Sequence, residues 1–227
     1  MKLPRVILAD DHTLVAEALH QLLAPYLDVV ATVADGHALV GAALSLKPDA
    51  VVADVAMPLL NGLEACRQLK AKMPSLKFIF VTMNEDPDLA VEAMRAGASG
   101  YVSKKSAGSE LLQAIRSALR GKTHVTPQIA REIQDSFVRN GHGRSHAKTL
   151  RPREREVIQL LAEGKSMKEA ADVLNLTPRT IAFHKYNAMR ELGLKTNADI
   201  FKFAVVHQIL VDIADYRLGH GQVSGKS

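Results

Sequence analysis

The sequence predicts an α/β domain built on a doubly wound parallel sheet, followed by a purely helical domain, and three observations carry that prediction. In residues 1–121, short apolar runs alternate five times with helix-period patterns, as βα units do. From Leu150 onward the period is helical throughout, with helix start signals at close intervals. Between the two, Asn140-Gly-His-Gly-Arg-Ser-His-Ala-Lys148 is polar, glycine-bearing and without apolar period. At 227 residues the chain is long enough for two ordinary domains, each with its own core. The expected division is 1–121 for the α/β domain, 122–148 for a linker with a short helical stretch around residues 128–138, 149–211 for the helical domain, and 212–227 for a loose tail.

In chain order, the expected strands are residues 5–10, 29–32, 50–54, 77–82 and 101–103. The third has the clearest signature. Ala50-Val-Val-Ala53 is a nearly continuous apolar run of the kind buried on both faces of a parallel sheet, and Asp54 ends it. Pro58 cannot donate to a sheet ladder and Gly62 supplies turn freedom, so the segment between them leaves the sheet as a loop. Asp54 therefore sits at a strand's carboxyl end, where doubly wound sheets bind ligands. Leu14, Ala18 and Leu22, then Leu63, Cys66 and Leu69, are spaced as helices that lay one apolar face on the sheet. Right-handed crossovers put every strand's carboxyl end on one edge. Asp10, Asp11, Asp54, Thr82 and Lys104 are thereby placed together.

In the second half, Pro152 opens a helix that carries Val157, Leu160 and Leu161 and stops at Gly164. Ser166-Met-Lys-Glu169 is a capping box, each end satisfying an amide of the other. Thr177 caps and Pro178 begins a third helix that runs to Gly193, and Thr196 or Asn197 caps a fourth. Four short helices with a tight turn between the second and third describe a helix-turn-helix domain.

Composition narrows the function. Hydrophobic residues at 47% and charged residues at 23% exclude a disordered or fibrous chain. The single cysteine, Cys66, excludes disulfides and cysteine-rich metal sites and fits a reducing cytoplasm. No apolar run approaches the roughly 18 residues that span a bilayer, so neither a membrane anchor nor a secretion signal is expected. Residues 1–121 hold 12 basic and 13 acidic side chains, net −1, against 17 and 11, net +6, in the remainder. Only the second half inclines toward a polyanion.

Taken singly, Asp11 reads as a helix cap, Thr82 as a strand-end hydroxyl and Lys104 as a solvated lysine. Their convergence with Asp10 and Asp54 on one sheet edge reads otherwise. Three carboxylates held there repel, each pair by on the order of 4 kcal/mol at about 4 Å and an effective dielectric near 20, so the cluster needs a cation. Hard oxygen donors with open positions suit Mg²⁺. A carboxylate beside Mg²⁺, with the Thr82 hydroxyl and the Lys104 ammonium converging on it, suits in-line phosphoryl transfer to Asp54 as nucleophile.

Asp10-Asp11, Asp54-x-x-Met-Pro-x-x-x-Gly62, Val81-Thr82 and Gly100-Tyr-Val-Ser-Lys104 resemble the receiver domain of bacterial two-component response regulators over residues 5 to 121. The resemblance implies a flavodoxin-like five-stranded sheet in the order 2-1-3-4-5, the order receiver domains share. It further implies that Asp54 accepts phosphoryl from a sensor histidine kinase. Asp11 and Asp54 would hold Mg²⁺ directly, Asp10 directly or through water, with the Ala56 carbonyl completing the set. Thr82 and Tyr101 would form the switch pair. Lys105 stands where many receivers have proline.

On the third helix, Ile181, Ala188 and Leu192 mark the inward face, with His184 near its edge. Arg179, Ala182, Phe183, Tyr186 and Arg190 recur on the opposite face. An outward stripe of arginine and aromatics suits base edges and phosphates in a DNA major groove. Lys165 and Ser166, at the start of the second helix, would position phosphates, and Thr180, His184 and Lys185 complete the expected contact set. Leu150-Arg-Pro-Arg-Glu-Arg-Glu156, Leu161-Ala-Glu-Gly-Lys-Ser166 and Thr177-Pro-Arg-Thr180, with His184 and Asn187, are similar to LuxR-type helix-turn-helix domains. The whole chain thus resembles a NarL/FixJ-type response regulator, a phosphorylation-controlled transcription factor of the cytoplasm. Arg151 replaces a customary Thr or Ser cap, Met167 a common asparagine, and Phe183 and Tyr186 are bulky for groove positions. The apolar fourth helix, residues 198–210, would pair two copies on double-stranded promoter DNA. Two rival readings are a Mg²⁺-dependent phosphohydrolase, for which Ala56 stands where a second acid is needed, and a protein whose receiver dimerises without phosphorylation.

Overall fold

Ala50–Ala53 forms the strand at the heart of the first half, and all four residues are buried. The computed structural model describes residues 2–140, 150–206 and 209–210, in two compact units divided after residue 146. The expected linker residues 141–148 and tail 212–227 lie outside the described residues.

The first unit is a parallel sheet of β1 (Arg5–Ala9), β2 (Asp28–Val33), β3 (Ala50–Ala53), β4 (Lys77–Thr82), β5 (Gly100–Ser103) and β6 (His124–Val125), in the order β2-β1-β3-β4-β5-β6. Alternate side chains leave opposite faces of the pleat, which makes two cores. Ile7, Val51, Phe78, Phe80 and Tyr101 point to one face, covered by α2 (Gly36–Leu46), α3 (Gly62–Lys72) and α4 (Pro87–Arg95). Val6, Leu8, Val52, Ile79, Val81 and Val102 point to the other, under α1 (Thr13–Leu23) and α5 (Ala107–Leu119).

Three expectations are corrected. The sheet has six strands where five were expected: His124 and Val125 pair with Gly100 and Tyr101. Residues 124–140 therefore begin in the sheet, continuing as α6 (Pro127–Asn140). Second, α1 turns a different face inward. Ala16, Leu19 and Leu23 are buried, while Leu14 is 81% exposed. The helix carries two apolar registers, both at helical spacing, and the winning one continues into buried Leu27. Third, Gly62 does not adopt a left-handed turn. It begins α3 against the backbone of the third strand's end: a Cβ there would lie 2.1 Å from the Asp54 carbonyl oxygen. Leu59, at φ 66°, makes the turn instead.

Cys66 faces the core from α3, fully buried, with its thiol donating to the Ala96 carbonyl at 3.7 Å. Burial pushes that thiol up to about 12.

The second unit packs α7 (Pro152–Ala162), α9 (Pro178–Leu192) and α10 (Asn197–Val206) around Leu150, Ile158, Ala188, Met189, Ile200 and Ala204, with α8 (Met167–Leu174) set against α7 and α9. The start signals work as their chemistry requires. The Ser166 Oγ accepts from the Glu169 N–H at 3.2 Å while the Glu169 carboxylate accepts from the Ser166 N–H at 2.8 Å. The Thr177 Oγ1 accepts from the Thr180 N–H at 3.2 Å, and Thr196, not Asn197, caps α10 through the Asp199 N–H at 3.1 Å. Arg151 has no oxygen to offer α7, and the buried Glu154 carboxylate instead accepts the Arg151 N–H at 3.0 Å.

Replacing Gly62 with alanine forces α3 away from the Asp54 loop. Overpacking of this kind costs about 1–3 kcal/mol, so Gly62→Ala is expected to lower the urea midpoint accordingly, with an unchanged m-value.

Candidate functional site

Each acidic residue of the cluster is placed by the end of a strand. The Asp54 N–H donates to the Ala9 carbonyl at 2.8 Å and the Asp10 N–H to the Val33 carbonyl at 3.0 Å, so both continue the ladder one step past their strands. Lys104 opens a short 3-10 turn after β5. Its Nζ lies 2.5 Å from the Asp54 Oδ2 and 2.7 Å from the Asp10 Oδ2, and all three side chains are nearly inaccessible. The Ala56 N–H donates to the Asp54 Oδ1 at 3.3 Å.

Asp11 and His12 complete the cluster. Donor atoms of Asp10, Asp11, His12 and Asp54 all lie within 4.8 Å of one another. The His12 Nδ1 is 3.1 Å from the Asp11 Oδ1. Burial raises the Asp54 carboxyl above the usual carboxylate range despite Lys104, and raises Asp11 despite His12. Burial also pulls on the Lys104 ammonium, but Asp54 and Asp10 outweigh it and hold its pKa above the ordinary lysine value. Three carboxylates offering hard oxygens with one lysine between them form an acidic cluster that could hold a metal ion.

Thr82 and Tyr101 meet on the main chain of Asn84. The Thr82 Oγ1 accepts from the Asn84 N–H at 3.1 Å, and the Tyr101 hydroxyl donates to the Asn84 carbonyl at 2.8 Å. Both residues are buried, and burial raises the Tyr101 phenol above its usual pKa. The loop after β4 is fastened further by Glu85. The Ser103 hydroxyl donates to its Oε1 at 2.6 Å and the Lys105 Nζ lies 3.2 Å from its Oε2, which together hold the Glu85 carboxyl below the usual range. Lys105 also donates its N–H to the Ser103 Oγ at 3.3 Å, a bond a proline could not make.

Strand-end reasoning thus located Asp10, Asp11, Asp54 and Lys104, which the structure gathers in one place. It missed His12, whose only signal is its position after two aspartates, and the Ser103–Glu85–Lys105 tie, which has no periodic signature.

On the second unit, Arg179, Phe183, Tyr186 and Arg190 are exposed, Phe183 and Tyr186 by 62% and 61%. Thr180, Ala182, His184 and Lys185 are half-buried on the same helix. The Phe183 ring meets the His184 ring edge-on at 5.5 Å, and the Lys185 ammonium lies 5.5 Å from the Tyr186 ring centroid. Met189 joins Ile181 and Ala188 on the inward face, and Leu192 is only half-buried. Lys165 and Ser166 stand where α8 begins, the Ser166 hydroxyl being engaged in its capping box. Among the described residues, no helix is long and apolar enough to cross a membrane.

Comparison with known proteins matches both halves of the chain. Residues 6–116 match the response regulator receiver domain, and residues 148–204 match the luxR family of bacterial regulatory proteins. The response regulator GacA of Pseudomonas aeruginosa is 33% identical over 213 residues, covering 92% of this chain and 99% of the relative. The oxygen regulatory protein NreC of Staphylococcus aureus is 31% identical over 215 residues, covering 91% and 99%. Among solved structures, the RcsB response regulator of Salmonella typhimurium superposes with a TM-score of 0.57 at 27% identity, over 91% of this chain and 100% of that one. An RcsB–DNA complex superposes at 0.56 with 27% identity, over 90% and 98%. A two-component response regulator of the LuxR family from an Aurantimonas species matches 60% of this chain and 99% of its own at 0.58 and 36% identity. The chain belongs to the two-component response regulators of the NarL/FixJ type, in which a receiver domain is joined to a LuxR-type DNA-binding domain.

Proposed function

We propose that Asp54 is the phosphoryl acceptor of this response regulator and that the resulting aspartyl phosphate controls its grip on promoter DNA. The observation that carries the reading is the convergence of Lys104 on Asp54 and Asp10 at 2.5 and 2.7 Å, beside Asp11. A sensor histidine kinase is the donor. A carboxylate oxygen of Asp54 attacks phosphorus in line, the new P–O bond forms as the P–N bond to the kinase imidazole breaks, and the electron pair leaves with that nitrogen. Lys104 offsets charge on the transferring oxygens. Asp10, Asp11, Asp54 and the Ala56 carbonyl would hold Mg²⁺, which supplies the remaining charge neutralisation. Ala56 offers no acid to protonate a leaving group, so the chain acts on its own aspartyl phosphate and not on free esters.

Thr82 is the residue through which the change is read. Its hydroxyl, now bonded to the Asn84 amide, turns to the phosphoryl group, and Tyr101 follows through the same residue. A full switch from 1:99 to 99:1 needs about 5.5 kcal/mol of differential stabilisation, which several charge-assisted bonds can supply.

The second unit reads DNA through α9. Arg179, Thr180, Ala182, Phe183, His184, Lys185 and Tyr186 line the contact face, and Lys165 and Ser166 place the phosphate backbone. Two copies pair through residues 198–210, where Phe201 and Val206 are exposed; residues 207–208 lie outside the described residues. A solved structure of two RcsB dimers bound to two parallel DNAs supports binding as a dimer. A DNA-binding unit and a single, unpaired cysteine support a cytoplasmic location.

Asp54→Asn is expected to abolish labelling by a small phosphodonor such as acetyl phosphate while leaving the far-ultraviolet circular dichroism unchanged; retained label would reject Asp54 as acceptor. The raised Asp54 and Asp11 carboxyls contribute stability that is full below their unfolded values and lost as pH rises through the folded ones. Metal-free protein is therefore expected to lose stability on moving up from the ordinary carboxylate range, with a smaller loss in Asp54→Asn. Mg²⁺ at 100 times its Kd should restore about 2.7 kcal/mol, and Asp11→Asn should erase that gain in a thermal melt. Tyr186→Ala is expected to weaken a specific promoter fragment by about 1–3 kcal/mol more than random DNA in anisotropy titrations; equal losses would show that Tyr186 reads no base.

A further inference from the structure

The segment that follows α5 is built into the receiver. β6 pairs with β5, the strand that carries Tyr101 and ends beside Lys104. Buried Thr126 extends the join: its N–H donates to the Tyr101 carbonyl at 3.0 Å, and its hydroxyl accepts from the Ser103 N–H at 3.2 Å and donates to the Glu110 Oε2 at 3.0 Å. Glu110 also faces the His124 Nε2 at 3.4 Å. From there α6 lies over the face of the sheet that holds Tyr101. Ile129 is fully buried in one core with Leu89, Ala90 and Ala93 of α4, and Val125 and Ile133 pack against it.

α4 in turn is tied to the switch. Its cap is Asp86, whose N–H is held by the Asn84 Oδ1 at 2.8 Å, and Asn84 is the residue on which Thr82 and Tyr101 meet. The path from Thr82 to α6 therefore has two branches, one through β5 and Thr126, the other through Asn84 and α4. In sequence, α6 ends at Asn140, a short stretch before Leu150 begins the DNA-binding unit. A passive tether needs only reach, and polar residues meet that need without bonds to a sheet. Burying Ile129 and satisfying Thr126 fixes the segment to the two elements a change at Thr82 disturbs.

We propose that β6 and α6 are the relay between the acceptor site and the DNA-binding unit: docked on β5 and α4 before phosphorylation, and released when the Thr82 hydroxyl leaves the Asn84 amide. The inference rests on Asp54 being the acceptor. Asn84 then loses one of its anchors, the first turn of α4 shifts, and the surface that seats Ile129 and Ile133 no longer fits.

Hydrogen exchange on the full chain, with Mg²⁺ and with or without beryllofluoride as phosphoryl mimic, tests the relay. Peptides covering residues 124–135 are expected to exchange roughly tenfold faster with the mimic, whose binding is established separately by a rise in melting temperature. A melting rise with unchanged exchange overturns the relay and leaves the acceptor reading standing. A second arm needs no mimic. In the unmodified chain, Ile129→Ala and Thr126→Val are expected to raise affinity for a genomic fragment selected by the full-length protein by about fivefold or more. Thr126→Ser, which keeps the hydroxyl, should restore the original affinity. Unchanged affinity in folded Ile129→Ala and Thr126→Val overturns the relay whether or not the mimic binds, and absence of mimic binding counts against the acceptor reading alone.

Discussion

One ammonium group shared by two buried carboxylates governs the first unit. Lys104 follows β5, and its partners follow β3 and β1, so a single side chain spans three strand ends, reaching over β4 between them. Acids gathered this closely would drive the sheet edge apart without it. The lysine is not enough to make them comfortable: burial still holds the Asp54 and Asp11 carboxyls above their ordinary range. A site with one cation already seated and charge left over favours a second cation and then an anionic ligand between the two. The strain of the arrangement and its chemistry have the same origin.

Much of this was legible in the residues because parallel sheets leave little choice. A short apolar run buried on both faces has to end somewhere, and the first polar residue after it falls on the ligand edge. That reasoning finds Asp10, Asp54 and Lys104 without any structure. It fails where two answers satisfy the same pattern: α1 has two apolar registers, and the one that packs, with Leu19 and Leu23, joins the core that also holds Leu27. It fails also where an element is too short to show a period. His124 and Val125 are two residues, one of them polar, and their place in the sheet comes from what Gly100 and Tyr101 present to them. Gly62 was correctly singled out for the wrong reason, since a glycine needed for close approach and one needed for a turn look alike in a string of letters.

The helical unit was more legible because its signals are local. Capping residues act within one turn, so Ser166, Thr177 and Thr196 do in the structure what their types and spacing require. What spacing could not show is that each outward aromatic of α9 has a neighbour on the same helix. The Phe183 ring meets His184 edge-on and the Lys185 ammonium lies over the Tyr186 ring, and if α9 reads DNA as proposed, such contacts would leave less side-chain freedom to be lost on binding.

Cys66 has its own practical corollary. The one sulfhydryl of the chain is sealed beneath α3 with its proton held firmly in place, and both oxidants and alkylating reagents act on an accessible thiolate. Wild-type protein should consequently be silent toward maleimides. A spin label or fluorophore attached at an introduced surface cysteine would report only from where it was put, with no need to strip the native background first.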